Sequence, residues 1–147
     1  MSSPKYAAPL YLKRYPSRTL VVYLVAVHGG VLALLPRLAL SWELSILLSS
    51  AVIASFYLSL RGQALLLSSK AVVQIFWDSD NVWYLRRRNG REYIGKLLPG
   101  CFVGSRLVVL NFVLGAWWQR TSVVLLSDNV DPESLRRLRV RLRISCS

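Results

Sequence analysis

Acidic side chains are scarce in this sequence. Of 147 residues only 7 are Asp or Glu, against 19 Lys or Arg, a formal net charge of +12 with a pI near 10.5. There is one histidine, and there are two cysteines. Charged residues of both signs make up 18% while hydrophobic residues make up 54%; a soluble domain carries about 25% and 45–50%. Each shortage excludes something. A hydrolytic triad needs a water-accessible His beside a Ser or Cys, and the one histidine, His28, lies inside an apolar run. Cys101 and Cys146 stand 45 positions apart with no CxxC pattern, so they form neither a redox nor a metal motif and read as unpaired thiols. No Gly-rich loop ending in Lys-Ser/Thr is present to cradle a phosphate. Asp78 and Asp80 sit in the turn-like stretch DSDN. The chain reads as a non-enzyme with no catalytic, cofactor or metal site. Disorder is excluded by so apolar a composition.

What is abundant is long hydrophobic runs. From Thr19 to Leu35 there are 17 residues without a Lys, Arg, Asp or Glu. As a helix that is about 26 Å, close to a bilayer core of ~30 Å. It is longer than the 7–15-residue apolar stretch of a cleaved signal peptide. A second run, Leu38–Leu60, follows Pro36 and Arg37, carries Glu43 near its start and is closed by Arg61. Trp42 and Tyr57 lie toward its ends, as in interfacial aromatic belts. The spacing predicts a two-helix transmembrane hairpin over 19–61, turning at Pro36-Arg37; two buried helices of a soluble domain are the competing reading. Lys5, Lys13, Arg14 and Arg18 precede the first span, and Lys and Arg are plentiful after the second. The positive-inside rule then puts both termini in the cytoplasm and the thiols in a reducing compartment. Ala26, Gly30 and Ala33 on one span, and Ser41, Ser45 and Ser49 on the other, have the spacing of helix-packing stripes. The intramembrane polar residues are His28 and Glu43. His28 reads as a neutral imidazole bonded to a serine of the second helix, or as a proton or partner switch. Glu43 snorkels or pairs with Arg37.

Residues 1–18 read as a basic cytoplasmic segment, and 62–147 as a cytoplasmic β-rich domain with 13 basic and six acidic groups, net +7. Short apolar runs bounded by turn residues predict strands at 71–77, 82–88, 91–98, one or two within 101–114, and 121–127. Asn89-Gly90 is a hairpin signal in which both positions tolerate positive φ. The architecture expected is an antiparallel sheet or small open barrel followed by a C-terminal helix, an α+β domain on a helical membrane hairpin. Asp131, Pro132 and Glu133 make a helix start, with Leu135, Leu138 and Leu142 on one face. Leu138, Val140, Leu142 and Ile144 also alternate with arginines at strand period, so helix and strand both stay open over 138–144.

The basic residues cluster in three places: the segment before the first span; Arg86, Arg87, Arg88 and Arg91; and Arg136, Arg137, Arg139, Arg141 and Arg143. These arginines, with Trp117 and Trp118 beside Arg120, are the candidate partner or lipid surface. Anionic membrane lipids, an acidic protein partner and nucleic acid are the three ligands such charge suits; arginine clusters without interleaved aromatics make nucleic acid the weakest. Because neighbours on a strand face opposite ways, one of the two tryptophans is expected in the core.

The feature order resembles the CptA/YgfX family of small bacterial inner-membrane proteins. The matching parts are VYLVAVHGGVLALLP with its central His28-Gly29, the second span, and VVLLSDNVDPESLRRLRVRLR, an apolar strand followed by Asp128 and, beyond an acidic residue, Leu135-Arg136 and Leu138-Arg139. The stretch before Arg18 and the Trp117-Trp118 pair are departures. The resemblance implies the toxin of a type IV toxin–antitoxin pair that inhibits division and shape through FtsZ and MreB. The implied antitoxin is a small soluble CptB/SdhE-like protein, and no enzymatic activity comes with the family. The alternative is a non-toxic membrane scaffold for a succinate dehydrogenase flavin assembly factor. Oligomerisation of the hairpin is open.

Overall fold

The computed structural model describes residues 8–145; Lys5 and Cys146 lie outside them. Two apolar helices form first. α1 (Arg18–Leu34) continues as a 3-10 turn over Leu35–Leu38, and α2 (Trp42–Ser59) continues as a π turn over Leu60–Ala64. The chain thus reverses at Ala39–Ser41, not at Pro36-Arg37. Proline lacks an N–H and fits the first turn of a helical segment, so it does not stop the helix; Ala39, in the left-handed region at φ 47°, does. Each span, Arg18–Leu38 and Trp42–Ala64, is long and apolar enough to cross a bilayer, and almost nothing in either is buried. Val22, Val25, Leu34, Ile46, Leu47 and Leu58 all face outward. Core helices of a soluble protein would be covered, so the competing reading fails.

The two helices meet along one stripe each. On α1 the half-buried positions are Leu20, Val21, Leu24, His28 and Leu32; on α2 they are Ser45, Ser49, Val52, Phe56 and Ser59. The serine stripe therefore packs as expected, Ser41 excepted. The Ala26–Gly30–Ala33 stripe does not: it faces away from α2, and a Cβ added at Gly30 would meet nothing within 4 Å. The i, i+4 row of leucines and His28 wins because it offers more surface.

The rest is an antiparallel sheet curled into a half-barrel. Its strands are β1 (Leu10–Lys13), β2 (Val72–Trp77), β3 (Trp83–Arg87), β4 (Glu92–Leu97), β5 (Phe102–Val103), β6 (Leu107–Leu114) and β7 (Arg120–Leu126). Neighbours run β1–β2–β3–β4–β6, and β5 and β7 also pair with β6. The 101–114 stretch is thus two strands. β1 comes from the segment read as a separate basic arm: Leu10 and Leu12 point into the core while Tyr11 faces out, and its register sets Leu10 opposite Trp77 and Lys13 opposite Gln74. Inside, Leu12, Ile75, Leu85, Leu110, Phe112 and Leu125 are fully buried, and Trp77 stacks on Trp83 at 4.1 Å. Cys101 is a free thiol, its Sγ–H donating to the Leu98 carbonyl at 3.2 Å.

The β3–β4 connection differs in type from the two-residue turn that Asn89-Gly90 suggests. Only Gly90 is left-handed, at φ 83°. Gly90 N–H donates to the Arg87 carbonyl at 3.0 Å and Arg87 N–H to the Arg91 carbonyl at 2.9 Å. That is a longer hairpin loop ending in a left-handed glycine, with the Asn89 side chain accepting from Arg91 N–H at 3.0 Å.

α3 (Pro132–Ser145) closes the open side of the half-barrel. Asp131 caps it by accepting from Ser134 N–H at 3.0 Å. Leu135, Leu138 and Leu142 are buried, whereas Val140 and Ile144 are 52% and 71% exposed, the signature of helix rather than strand. Leu138→Ala should therefore cost about 2–5 kcal/mol, and Val140→Ala about 0.5 kcal/mol or less. Denaturant unfolding of the detergent-solubilised protein checks this; equal losses at both positions would mean a strand.

Candidate membrane and partner interface

Sheet and membrane hairpin are joined without a linker. β1 ends at Lys13 and α1 begins at Arg18, and the residues between are bonded at nearly every step. Arg14 N–H donates to the Val73 carbonyl at 2.8 Å, Tyr15 N–H to Asn129 at 2.8 Å and Ser17 N–H to Ala64 at 2.9 Å. Ser17 caps α1, its Oγ accepting from Leu20 N–H at 3.0 Å. The same hydroxyl donates to the Asp128 carboxylate at 2.9 Å, and Thr19 N–H donates to it at 3.0 Å. Burial alone would raise the Asp128 pKa, but the bonds from Thr19 and Ser17 outweigh it and hold the group below its ordinary value. Asp128 thus ties the end of β7 to the start of the first span. In the sequence it stood out only through the family-like ending.

Arg14 is the residue that sequence reasoning missed. It counted there toward orientation and as part of an exposed basic cluster, yet it is buried at the seam between the two edges of the sheet. Its Nη1 donates to the Val72 carbonyl at 2.8 Å and its Nη2 to Val124 at 3.2 Å, so one guanidinium bridges β2 and β7. Nη2 also lies 3.4 Å from both oxygens of Gln63, whose own amide donates to the Ser122 carbonyl at 2.9 Å. Burial lowers the Arg14 pKa to about 10. The alternation Leu10-Tyr11-Leu12-Lys13 was the one signal in the sequence that a strand precedes it.

Topology sorts the candidate surface into two ends. β1 leads into α1 and β2 leads out of α2, so in this antiparallel order β3 and β6 also run toward the membrane hairpin. The β3–β4 and β6–β7 turns therefore lie at the near end, and the β2–β3 and β5–β6 turns at the far end.

At the near end, Arg88 donates to the Leu66 carbonyl at 2.8 Å and fixes the loop that leaves α2. Arg91 is exposed, with no side-chain partner among the described residues. Arg86 pairs with Glu92 at 3.1 Å, both half-exposed, an ion pair of small energetic value. Arg87 lies 4.6 Å over the Tyr93 ring. Trp117 and Trp118 are 74% and 67% exposed and touch edge to face at 5.7 Å. Neither is in the core, contrary to expectation, because both sit in the turn. Leu114 N–H bonds the Gln119 carbonyl at 2.8 Å, closing a loop to which strand alternation does not apply.

At the far end, Arg139 donates to the Ser105 carbonyl in the β5–β6 turn. Arg141 lies 3.9 Å over the Trp77 ring and donates to the Asp78 carbonyl at 2.8 Å. These two arginines hold α3 in place. Arg136 and Arg137 share Glu133 at 2.9 and 3.1 Å, and their hydrogen bonds push its pKa down to about 2. The exposed face of α3 is Arg136, Arg137, Val140, Arg143 and Ile144, cationic and aliphatic together.

Within the spans, His28 Nδ1 faces the Leu24 carbonyl at 2.9 Å and so carries the proton there. Its Nε2 is 3.5 Å from Ser55 Oγ on α2, and its ring packs 5.3 Å from Phe56. The expected serine contact exists, at the outer limit of a hydrogen bond. Glu43 is exposed in the first turn of α2, where a carboxylate suits the helix dipole. No ion pair with Arg37 is found among the described residues.

Residues 8–145 match a family described as the membrane-bound toxin component of a toxin–antitoxin system. No curated protein and no solved structure matches the chain.

The Asp128 clasp has a pH signature. A carboxylate with a depressed folded pKa stabilises the fold above its unfolded pKa, and this is lost as pH falls through the folded value. Asp128→Asn should lower the Tm at pH 7. The gap to the parent should shrink as pH drops below the ordinary carboxylate range, as thermal unfolding at pH 7 and pH 3 will show; a gap that stays constant means the carboxylate charge contributes nothing.

Proposed function

Because the chain belongs to the family of membrane-bound toxin components of toxin–antitoxin systems, we propose that it is a multi-pass inner-membrane toxin that works by binding rather than by catalysis. Both termini face the cytoplasm, as the lysines and arginines on that side of the spans require, and Ala39–Ser41 turns on the outside. The observation that carries the reading is the exposed face of α3. Arg136, Arg137 and Arg143 surround Val140 and Ile144 on a helix that starts beside the Asp128 clasp and runs to the far-end turns. Arginines steer and orient an acidic partner, and the apolar pair supplies area that can be desolvated. Cytoskeletal proteins of the FtsZ and MreB type are the targets that the family resemblance suggests. A small CptB/SdhE-like antitoxin competing for the same face would neutralise it. The near end serves a different partner. Basic residues close to an anionic leaflet contribute roughly 1 kcal/mol each, which holds the sheet against the lipid and presents α3 outward at a fixed height.

Overproduction of the full-length protein in a bacterial host should arrest division or distort cell shape. Arg136→Gln/Arg137→Gln/Arg143→Gln, at matched membrane abundance, should restore growth and reduce recovery of the target in detergent pull-downs by tenfold or more, about 1.4 kcal/mol or above. Undisturbed cells, or a triple variant as toxic as its parent, would contradict the reading. Recovery of only a small flavin-assembly factor, without toxicity, would favour the scaffold alternative. Deleting residues 1–61 is a poor test of membrane dependence, because it removes β1 along with the spans; replacing 21–59 with a flexible linker keeps β1, Thr19, Gln63 and Ala64, and with them the seam.

A further inference from the structure

At the near end a cleft of about 190 Å³ opens beside the seam, its lining including Arg14, Gln63, Ser68, Lys70, Thr121 and Ser122. Two cations, three hydroxyls and an amide line it, and no carboxylate does. Arg14 is the unusual member. It is 4% exposed, its Nη atoms meet only carbonyl oxygens and the Gln63 amide, and its Nε–H is buried with no partner among the described residues. A buried guanidinium ordinarily has a full counter-charge, because isolated charge is costly to desolvate. None of its bonded partners supplies one, and burial accordingly lowers its pKa to about 10.

We propose that this cleft holds the phosphate of an anionic phospholipid headgroup, with Lys70 and the hydroxyls of Ser68 and Thr121 in contact and Arg14 as the fixed charge behind them. Position argues for lipid as the source of the phosphate. Gly62 and Gln63 belong to the π turn at the C-terminal end of the second span, which is headgroup depth. Thr121 and Ser122 open the strand that follows the Trp117-Trp118 turn, and both indoles are exposed there. Tryptophan is the side chain most at home where apolar and wet layers meet. The inference needs the hairpin to cross the membrane; it does not need the toxin reading.

The test uses full-length protein, stripped of lipid in a neutral maltoside detergent. It is titrated with phosphatidylglycerol, phosphatidylcholine or inorganic phosphate, with native mass spectrometry and thermal unfolding as readouts. One tightly retained phosphatidylglycerol per chain and a raised Tm are expected, with no matching response to phosphatidylcholine. Lys70→Gln should weaken phosphatidylglycerol binding about tenfold, the size of one charge-assisted hydrogen bond. Lys96→Gln, exposed on β4 and outside the cleft, should leave it unchanged, and the lipid-free Tm of each variant reports that it is folded. Equal responses to the two lipids, or equal losses in the Lys70 and Lys96 variants, would overturn a defined site. A response to inorganic phosphate but not to phosphatidylglycerol would overturn the lipid as its ligand.

Discussion

One buried guanidinium holds this architecture together. A sheet of so few strands leaves edges whose carbonyls need donors, and here β2 and β7 approach each other just past the end of β1. Arg14 supplies the donors, bridging Val72 and Val124, while Gln63 reaches Ser122. Beside it, Ser17 does two tasks with one hydroxyl, capping α1 and gripping Asp128. The seam of the sheet, the entry to the first span and the exit from the second therefore form one bonded unit. The sheet is thus joined directly to the two apolar helices rather than tethered to them by a linker.

That constraint gives the excess of positive charge a direction. Arginines that look alike in sequence do different work. Arg88 pins the loop after α2, Arg139 and Arg141 pin α3 to the far turns, and Arg86 is half-satisfied by Glu92. What faces outward is Arg91 and the tryptophan turn at the near end, and Arg136, Arg137 and Arg143 on α3, the first two sharing Glu133. A chain with seven acids cannot neutralise nineteen bases internally; in this fold the surplus is divided between the near-end turns and α3.

Much of this was legible beforehand, and the exceptions have physical reasons. The spans follow from long uncharged runs, and most strands from short apolar runs between turn residues. The helical reading of α3 follows from the Asp131–Pro132–Glu133 start; the competing strand pattern fails because the 3.6-residue period turns Val140 and Ile144 outward. β1 was hidden because four residues of alternation are a weak signal beside a conspicuous run of positive charge. The role of Arg14 was not readable, since its partner carbonyl lies 110 positions along the chain. Small residues in α1 suggested the wrong packing face, because spacing says where close approach is allowed but not where more surface is gained. Trp117 and Trp118 were misjudged by applying strand alternation to a turn.

In this arrangement the half-barrel sits on the membrane with its β6–β7 turn at the lipid and the C-terminal half of α3 turned away. The most direct measurement is electron paramagnetic resonance accessibility of two single spin labels. They would be placed by Trp118→Cys and Val140→Cys in a Cys101→Ser/Cys146→Ser background, with the full-length protein in nanodiscs. The label at 118 should collide with lipid-soluble oxygen and be shielded from a water-soluble nickel complex. The label at 140 should show the reverse. Equal, water-like accessibility at both positions would mean that the sheet hangs free of the bilayer, and would contradict that arrangement.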